Sequence, residues 1–357
     1  MVIFKHLVFL GLLLTAISAL SEDSPWFVPG SLEVDKHDIE FEAEDGAVLS
    51  GTLRVPHGLT NGPAVVIPQQ TQTHYRDNPL YLQTAEVFNA IGFSSFVYDR
   101  RGKGESGGDM PQTDYFLLAR DAVAAKQAIG ETEFVNDQQI GYWGISQSGW
   151  ISMEAAAKSN AAFVVVVASP LTTPGEQMKF YTRNLVLIHG HGKEAADQAA
   201  ALWHAIMDEY MRGEIEHDVA RQLLSDAEEE AWFSQVGMVT AENLPEDVSK
   251  SGWINEIDYD PTNAWERVDA PILFLHGGKD WIVPVAETMT ILETLEPAGE
   301  REVHVIDSAD HTMIIRDEIR ILTDEEVEEM SVRDFNPDSE IYFMLMGRWL
   351  GQLWQDS

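Results

Sequence analysis

The stretch from residue 139 to 154 constrains the fold more than any other. An apolar run with Ile140, Tyr142 and Trp143 leads into Gly144-Ile145-Ser146-Gln147-Ser148-Gly149, and an alanine-rich segment follows. That order reads as strand, sharp turn and helix, with a serine at the apex. The apex residue of such a turn occupies unfavourable backbone space, so the positions two before and two after it must be small. Gly144 and Ser148 meet this requirement around Ser146, whereas an apex at Ser148 would place Trp150 at the crowded position. Ser146 is therefore the candidate nucleophile. A Gly/Ser turn between strand and helix is common on structural grounds alone, so the rest of the chain must carry the assignment.

From residue 35 the pattern is α/β. Residues 39–43 and 48–55 alternate across Asp45-Gly46, a hairpin signal. Residues 64–67 read as a buried strand, 80–91 as a helix, 93–98 as a strand and 114–129 as a helix. Two further buried runs lie at 161–168 and 271–275, and a last strand at 302–306. Strands alternating with helices imply a mostly parallel sheet covered on both faces. Residues 173–262 differ: after 185–188 they hold no convincing strand, and 195–211, 214–225 and 227–236 read as acidic helices carrying Met and Trp. This predicts a helical cap, 173–262, inserted into a core formed by 35–172 and 263–357. Toward the end, Thr323-Asp324-Glu325-Glu326 reads as a capping box, and Asp338-Ser339 as the cap of an apolar helix over 341–353.

Residues 1–21 carry Lys5 and His6, then an apolar core, then Ser18-Ala19-Leu20-Ser21 before Glu22. This predicts a secretory signal peptide cut near Ala19 or Ser21, and hence a periplasmic or secreted protein with no stable membrane association once it is removed. The chain has no cysteine, so it must hold itself together without disulfides. A formal net charge of −36 repels phosphate backbones and anionic lipid surfaces, which disfavours nucleic-acid and membrane-surface partners.

A serine hydroxyl needs a neutral imidazole to take its proton and a carboxylate to orient that imidazole. In the order nucleophile, acid, base, the acid follows a late strand and the histidine the last one. His276-Gly277-Gly278-Lys279-Asp280 directly follows 271–275, and Asp310-His311 follows the final strand, so Asp280 is the expected acid and His311 the expected base. Asp310 reads as a loop cap and His276 as a turn histidine. His189-Gly190-His191 is a weak metal pair. Asp334, Asn336 and Asp338 lack the glycine and glutamate of a calcium loop, so neither metal nor cofactor is expected. Two backbone N–H groups should face the developing oxyanion. Gln147 supplies one, and the loop Pro68-Gln69-Gln70-Thr71-Gln72-Thr73 should supply the other from Gln70 or Thr71.

With these residues assembled, the chain resembles the α/β-hydrolase superfamily, and within it a secreted bacterial branch of serine aminopeptidase-like or acyl-peptidase-like hydrolases. The resemblance rests on Asp99-Arg100-Arg101-Gly102-Lys103-Gly104-Glu105-Ser106-Gly107-Gly108, on residues 144–150 with Ala155-Ala156-Ala157 and 164–170, on Asp280 with Val283-Pro284, and on Ala309-Asp310-His311. It spans about residues 40–320. It implies an α/β-hydrolase fold with an inserted cap and a serine hydrolase working without a cofactor. Two positions depart from the family pattern: Pro68-Gln69-Gln70-Thr71 stands where His-Gly is usual, and Ser148 where glycine is common. The arginines of the Asp99 loop are expected to tie that turn to nearby carboxylates.

The resulting expectation is a hydrolase that cleaves a small-molecule ester or a peptide through an acyl-enzyme on Ser146. Carboxylesterase-type chemistry is preferred because small acyl esters make fewer demands on the pocket. A serine aminopeptidase or acyl-peptidase is the alternative, with Glu214, Glu216, Glu228 and Glu229 as candidates to hold a substrate ammonium. A binding protein that has lost catalysis is the reading from a different class.

Overall fold

A computed structural model describes residues 33–71, 75–109, 114–248, 251–296, 298–317 and 337–353. The signal-peptide reading, Gln72 and Thr73, the capping box at 323–326, and Asp334 and Asn336 all lie outside these residues.

Eight strands form one sheet: β1 (Val34–Glu42), β2 (Val48–Pro56), β3 (Gly62–Ile67), β4 (Ser94–Tyr98), β5 (Val135–Ile145), β6 (Val164–Val167), β7 (Ile272–Gly277) and β8 (Arg301–Ile306). Their spatial order is β1-β2-β4-β3-β5-β6-β7-β8. β1 pairs antiparallel with β2, and β2 with β4, while every pair from β4 to β8 is parallel. The β1–β2 hairpin turns at Asp45-Gly46, where Gly46 takes a positive φ of 84° that costs glycine little.

The helices are α1 (Pro79–Ala90), α2 (Tyr115–Gly130), α3 (Gln147–Lys158), α4 (Pro174–Ile188), α5 (Lys193–His204), α6 (His217–Ala227), α7 (Thr262–Trp265), α8 (Val285–Leu292) and α9 (Glu340–Gln352). The period-two geometry of a strand divides its side chains between the two faces of the sheet. Ala64, Val66, Val164 and Val166 join the core under α2 and α3. Val65, Ile67, Val165 and Val167 join the core under α1 and α9. This is why β6 is valine throughout: each face buries two of the four side chains, and each buried valine contributes roughly 1.5 kcal/mol or more.

Between β6 and β7 no described residue is in a strand, and the segment has an apolar core of its own that includes Trp203, Ile206, Leu224, Trp232 and Phe233. Two local expectations need correction. Residues 185–188 are the last turn of α4, started by Pro174 and by the Thr173 hydroxyl accepting from the Glu176 N–H. The expected helix over 227–236 is absent: Ala227 ends α6, and 228–236 are turns with a short 3₁₀ segment, because the Glu228-Glu229-Glu230 run breaks the apolar periodicity. The closing helix begins where expected, with Ser339 Oγ accepting from the Tyr342 N–H, while Asp338 instead accepts from the Ile315 N–H at 2.7 Å. Among the described residues no helix is long and apolar enough to cross a membrane.

Candidate active site

The parallel strands deliver five chain segments to one edge of the sheet, at their carboxyl ends: Gln69 to Thr71 after β3, Asp99 to Arg101 after β4, Ser146 after β5, Asp280 after β7 and His311 after β8.

Ser146 joins β5 to α3 with φ 54° and ψ −125°, a backbone state costly for any residue with a side chain. Packing enforces the strain. The Ser146 N–H donates to the Val167 carbonyl at 2.8 Å. A Cβ on Gly144 would come 2.2 Å from the Ser148 carbonyl oxygen, and one on Gly149 would come 2.6 Å from Ser169 Cβ. Ser148 is fully buried, and its hydroxyl is occupied by the N–H and the carbonyl of Ile145, both at 2.8 Å. Of the two serines, only Ser146 stands at the apex.

His311 Nδ1 meets Asp280 Oδ2 at 2.8 Å, and both side chains are buried. Asp280 Oδ1 accepts from the N–H groups of Ile282 (2.8 Å) and Val283 (3.0 Å), which fixes the carboxylate. Burial alone would drag the His311 pKa down. The charge and hydrogen bond of Asp280, with the Asp310 charge, more than offset this and hold it above the ordinary histidine value. The remaining polar residues behave as structural groups. Asp310 caps its own loop by accepting from the Thr312 and Ile314 N–H groups, and it pairs with Arg316. His276 is fully buried, and burial pushes its pKa down to about 4, so it is neutral at working pH. His189 contacts the Leu185 carbonyl and His191 the Gln235 side chain. No group of three His, Asp or Glu side chains among the described residues could hold a metal ion.

The oxyanion loop holds a surprise. In this structure both expected donors are engaged internally: the Gln70 N–H donates to Tyr81 Oη at 2.9 Å, and the Thr71 N–H to Gln147 Oε1 at 2.8 Å. Gln147 opens α3, where backbone N–H groups have no carbonyl one turn earlier to donate to.

The Asp99 loop splits into two roles. Arg101 behaves as expected, gripping Asp121 (2.5 and 2.9 Å) and Asp45 (2.7 and 3.1 Å). Arg100 does not. Its Nη1 donates to the Gln69 carbonyl at 3.2 Å and to Gln147 Oε1 at 3.1 Å, beside the candidate nucleophile. Nearby, burial pushes the pKa of the Tyr115 hydroxyl well up, and the charge of Glu256 from the helical segment acts in the same direction. Burial raises the Glu256 pKa, and Arg100 opposes that rise. Sequence reasoning missed Arg100, Tyr115 and Glu256 because their meeting depends on tertiary contacts between separate loops. The four glutamates proposed for a substrate ammonium, at 214, 216, 228 and 229, are all exposed, and Glu228 accepts from the Ala241 N–H.

A mostly parallel sheet with a strained serine elbow and a buried Asp–His pair at one edge defines the α/β-hydrolase class. Comparison with known proteins agrees. Residues 45–313 match the family model described as X-Pro dipeptidyl-peptidase (S15 family). The chain belongs to that family and has the α/β-hydrolase fold. It is 30% identical over 148 residues to a thiohydrolase of Eupenicillium brefeldianum, a match covering 41% of this chain and 46% of that protein. It is 24% identical over 258 residues to an uncharacterized 31.7 kDa Escherichia coli protein from the traX-finO intergenic region, covering 71% and 84%. Thus the chain spans about half the length of the thiohydrolase. Among solved structures, DcsB in complex with a substrate analogue aligns with a TM-score of 0.56 at 16% identity, over 89% of this chain and 99% of that one. The Pyrococcus furiosus esterase Pf2001 aligns with a TM-score of 0.53 at 16% identity, over 90% and 91%. At such identities these two speak for the fold alone.

Proposed function

We propose that this protein is a serine esterase that works through an acyl-enzyme on Ser146. The observation carrying this reading is the buried 2.8 Å His311–Asp280 bond, at the same sheet edge as the strained Ser146 turn. Asp280 keeps the proton on His311 Nδ1, which leaves Nε2 as the acceptor. Ser146 Oγ bonds to the acyl carbon while its proton passes to Nε2. The C–O bond to the leaving group then breaks as Nε2 returns the proton to the departing alkoxide. Water repeats the sequence and releases the acid. The Gln147 N–H is one oxyanion donor. Gln70 or Thr71 becomes the other by exchanging its internal partner for the substrate oxygen. The segment 173–262 lies between two core strands as a cap that shapes the acyl pocket.

Membership of the X-Pro dipeptidyl-peptidase family supports a second reading, cleavage of short peptides. Such an enzyme must hold a substrate ammonium. Glu256 in the helical segment feels the positive charge of the buried Arg100, which weakens it for that task. Esters are therefore placed first, and the thiohydrolase relative adds acyl thioesters as a further acyl donor to try. Turnover of p-nitrophenyl butyrate, a butyryl thioester, alanine p-nitroanilide and glycyl-prolyl p-nitroanilide separates the readings. The ester should exceed both anilides by at least about 10²-fold in kcat/KM; efficient anilide cleavage with negligible ester cleavage would replace the esterase reading with the peptidase one.

A further inference from the structure

The Arg100 guanidinium is a buried charge at the site to which the reaction above gives no part. It is 2% exposed, and its Nη1 bridges the Gln69 carbonyl and Gln147 Oε1. Gln147 Oε1 also receives the Thr71 N–H at 2.8 Å and the Thr71 hydroxyl at 2.7 Å. An amide oxygen has two lone pairs. With three donors within 3.1 Å it is over-subscribed, and losing one still leaves it paired.

The three donors are not equally free to leave. Arg100 is locked in, because moving it would strand a charge away from water. Withdrawal of the Thr71 hydroxyl would serve no reacting atom. The Thr71 N–H is the one donor of the kind an oxyanion needs, and its departure leaves Oε1 held by Arg100 and the hydroxyl. Gln70 is a poorer source, since its N–H serves the hydroxyl of the fully buried Tyr81, which would lose a donor.

Building on the acyl-enzyme reading, we propose that Arg100 is a positioning residue: by sharing Gln147 Oε1 it makes the Thr71 N–H transferable to the substrate oxyanion, so that Thr71 is the second donor beside the Gln147 N–H. No covalent bond changes in this exchange. The hydrogen bond from the Thr71 N–H to Oε1 breaks as the one to the oxyanion forms, while Arg100 and the Thr71 hydroxyl keep hold of Oε1. The arrangement also accounts for a loop, Pro68-Gln69-Gln70-Thr71, that reaches its conformation without glycine: side-chain bonds from Arg100 and Gln147 do the holding.

The informative variant is Gln147→Glu. Its carboxylate keeps the size of the amide and pairs with Arg100, but grips the Thr71 N–H more tightly. With p-nitrophenyl acetate as substrate and a trifluoromethyl ketone as tetrahedral mimic, kcat should fall about 10²-fold. KM should change by less than about threefold, and affinity for the ketone should fall in step with kcat. Arg100→Met should act in the same direction, with Arg100→Lys recovering part of the loss. A Gln147→Glu enzyme with kcat within about threefold of wild type would overturn the proposal, as would a loss shared by KM and Tm with ketone affinity unchanged. Fluorophosphonate labelling separates this failure from a wider one: a wild type unlabelled at Ser146 overturns the acyl-enzyme reading and the proposal with it, whereas a labelled wild type beside an undiminished Gln147→Glu overturns the proposal alone.

Discussion

His311 Nδ1 sits 2.8 Å from Asp280 Oδ2, and the far oxygen of that carboxylate is pinned by two backbone N–H groups. The acid therefore cannot turn to follow the imidazole; it dictates the imidazole's orientation. Asp280→Asn preserves the shape but favours the wrong tautomer. We expect kcat to fall roughly 10³- to 10⁴-fold with little change in KM, measured with an activated ester.

The pH dependence follows from the same pair. His311 must be neutral to accept the serine proton, and its pKa is held above the ordinary histidine value of 6.5. Activity should thus be lost as pH falls through a point above 6.5, and the residual activity of Asp280→Asn should show that limb displaced to lower pH. Stability runs the other way. A raised folded-state pKa means that the His311–Asp280 contribution is fully present below 6.5 and lost as pH rises through the folded value. The Tm difference between wild type and His311→Gln should accordingly shrink from pH 6 to pH 9.

His276 is the control for this assignment. With its pKa pushed to about 4 by burial, it stays neutral where His311 titrates. His276→Phe should change kcat less than about tenfold and leave the acid limb in place, whereas His311→Ala should abolish turnover; a pH–rate profile of both variants checks this.

The elbow trades stability for reactivity. Ser146 holds φ 54° against its own Cβ, a strain of about 1–3 kcal/mol. Ser146→Gly should relieve it and raise stability by about 1 kcal/mol in denaturant unfolding while eliminating activity. Gly144→Ala should instead lower stability and activity together, because its Cβ would meet backbone at 2.2 Å and the elbow would have to open.

Arg101 tests the structural half of the Asp99 loop. Asp121 is 1% exposed and holds the arginine through two bonds. Arg101→Met strands that carboxylate and should cost about 3–5 kcal/mol. The double variant Arg101→Met with Asp121→Leu should recover most of the loss.

Much of this was legible from residues alone, and the exceptions have a common cause. β6 and the first four residues of β7 are short, wholly apolar runs, and only a sheet covered on both faces buries such strands. Ser146, Asp280 and His311 each follow a strand, so topology carries them to one edge. Residues 185–188 misled because four apolar residues without their helical context fit a strand as well as the end of α4. The Arg100–Gln147–Thr71 cluster lay beyond sequence reasoning: it joins loops after β4, β5 and β3, and nothing in Arg100-Arg101 reveals which guanidinium turns to a carboxylate and which to an amide.

Every step proposed above depends on acylation of Ser146 during turnover. Intact-mass measurement after treatment with diisopropyl fluorophosphate, followed by peptide mapping, tests it directly. We predict one phosphoryl adduct per chain, on Ser146, absent from Ser146→Ala and strongly slowed in His311→Ala; ester hydrolysis that continues undiminished in an unmodified protein, or an adduct on another residue, would contradict the account.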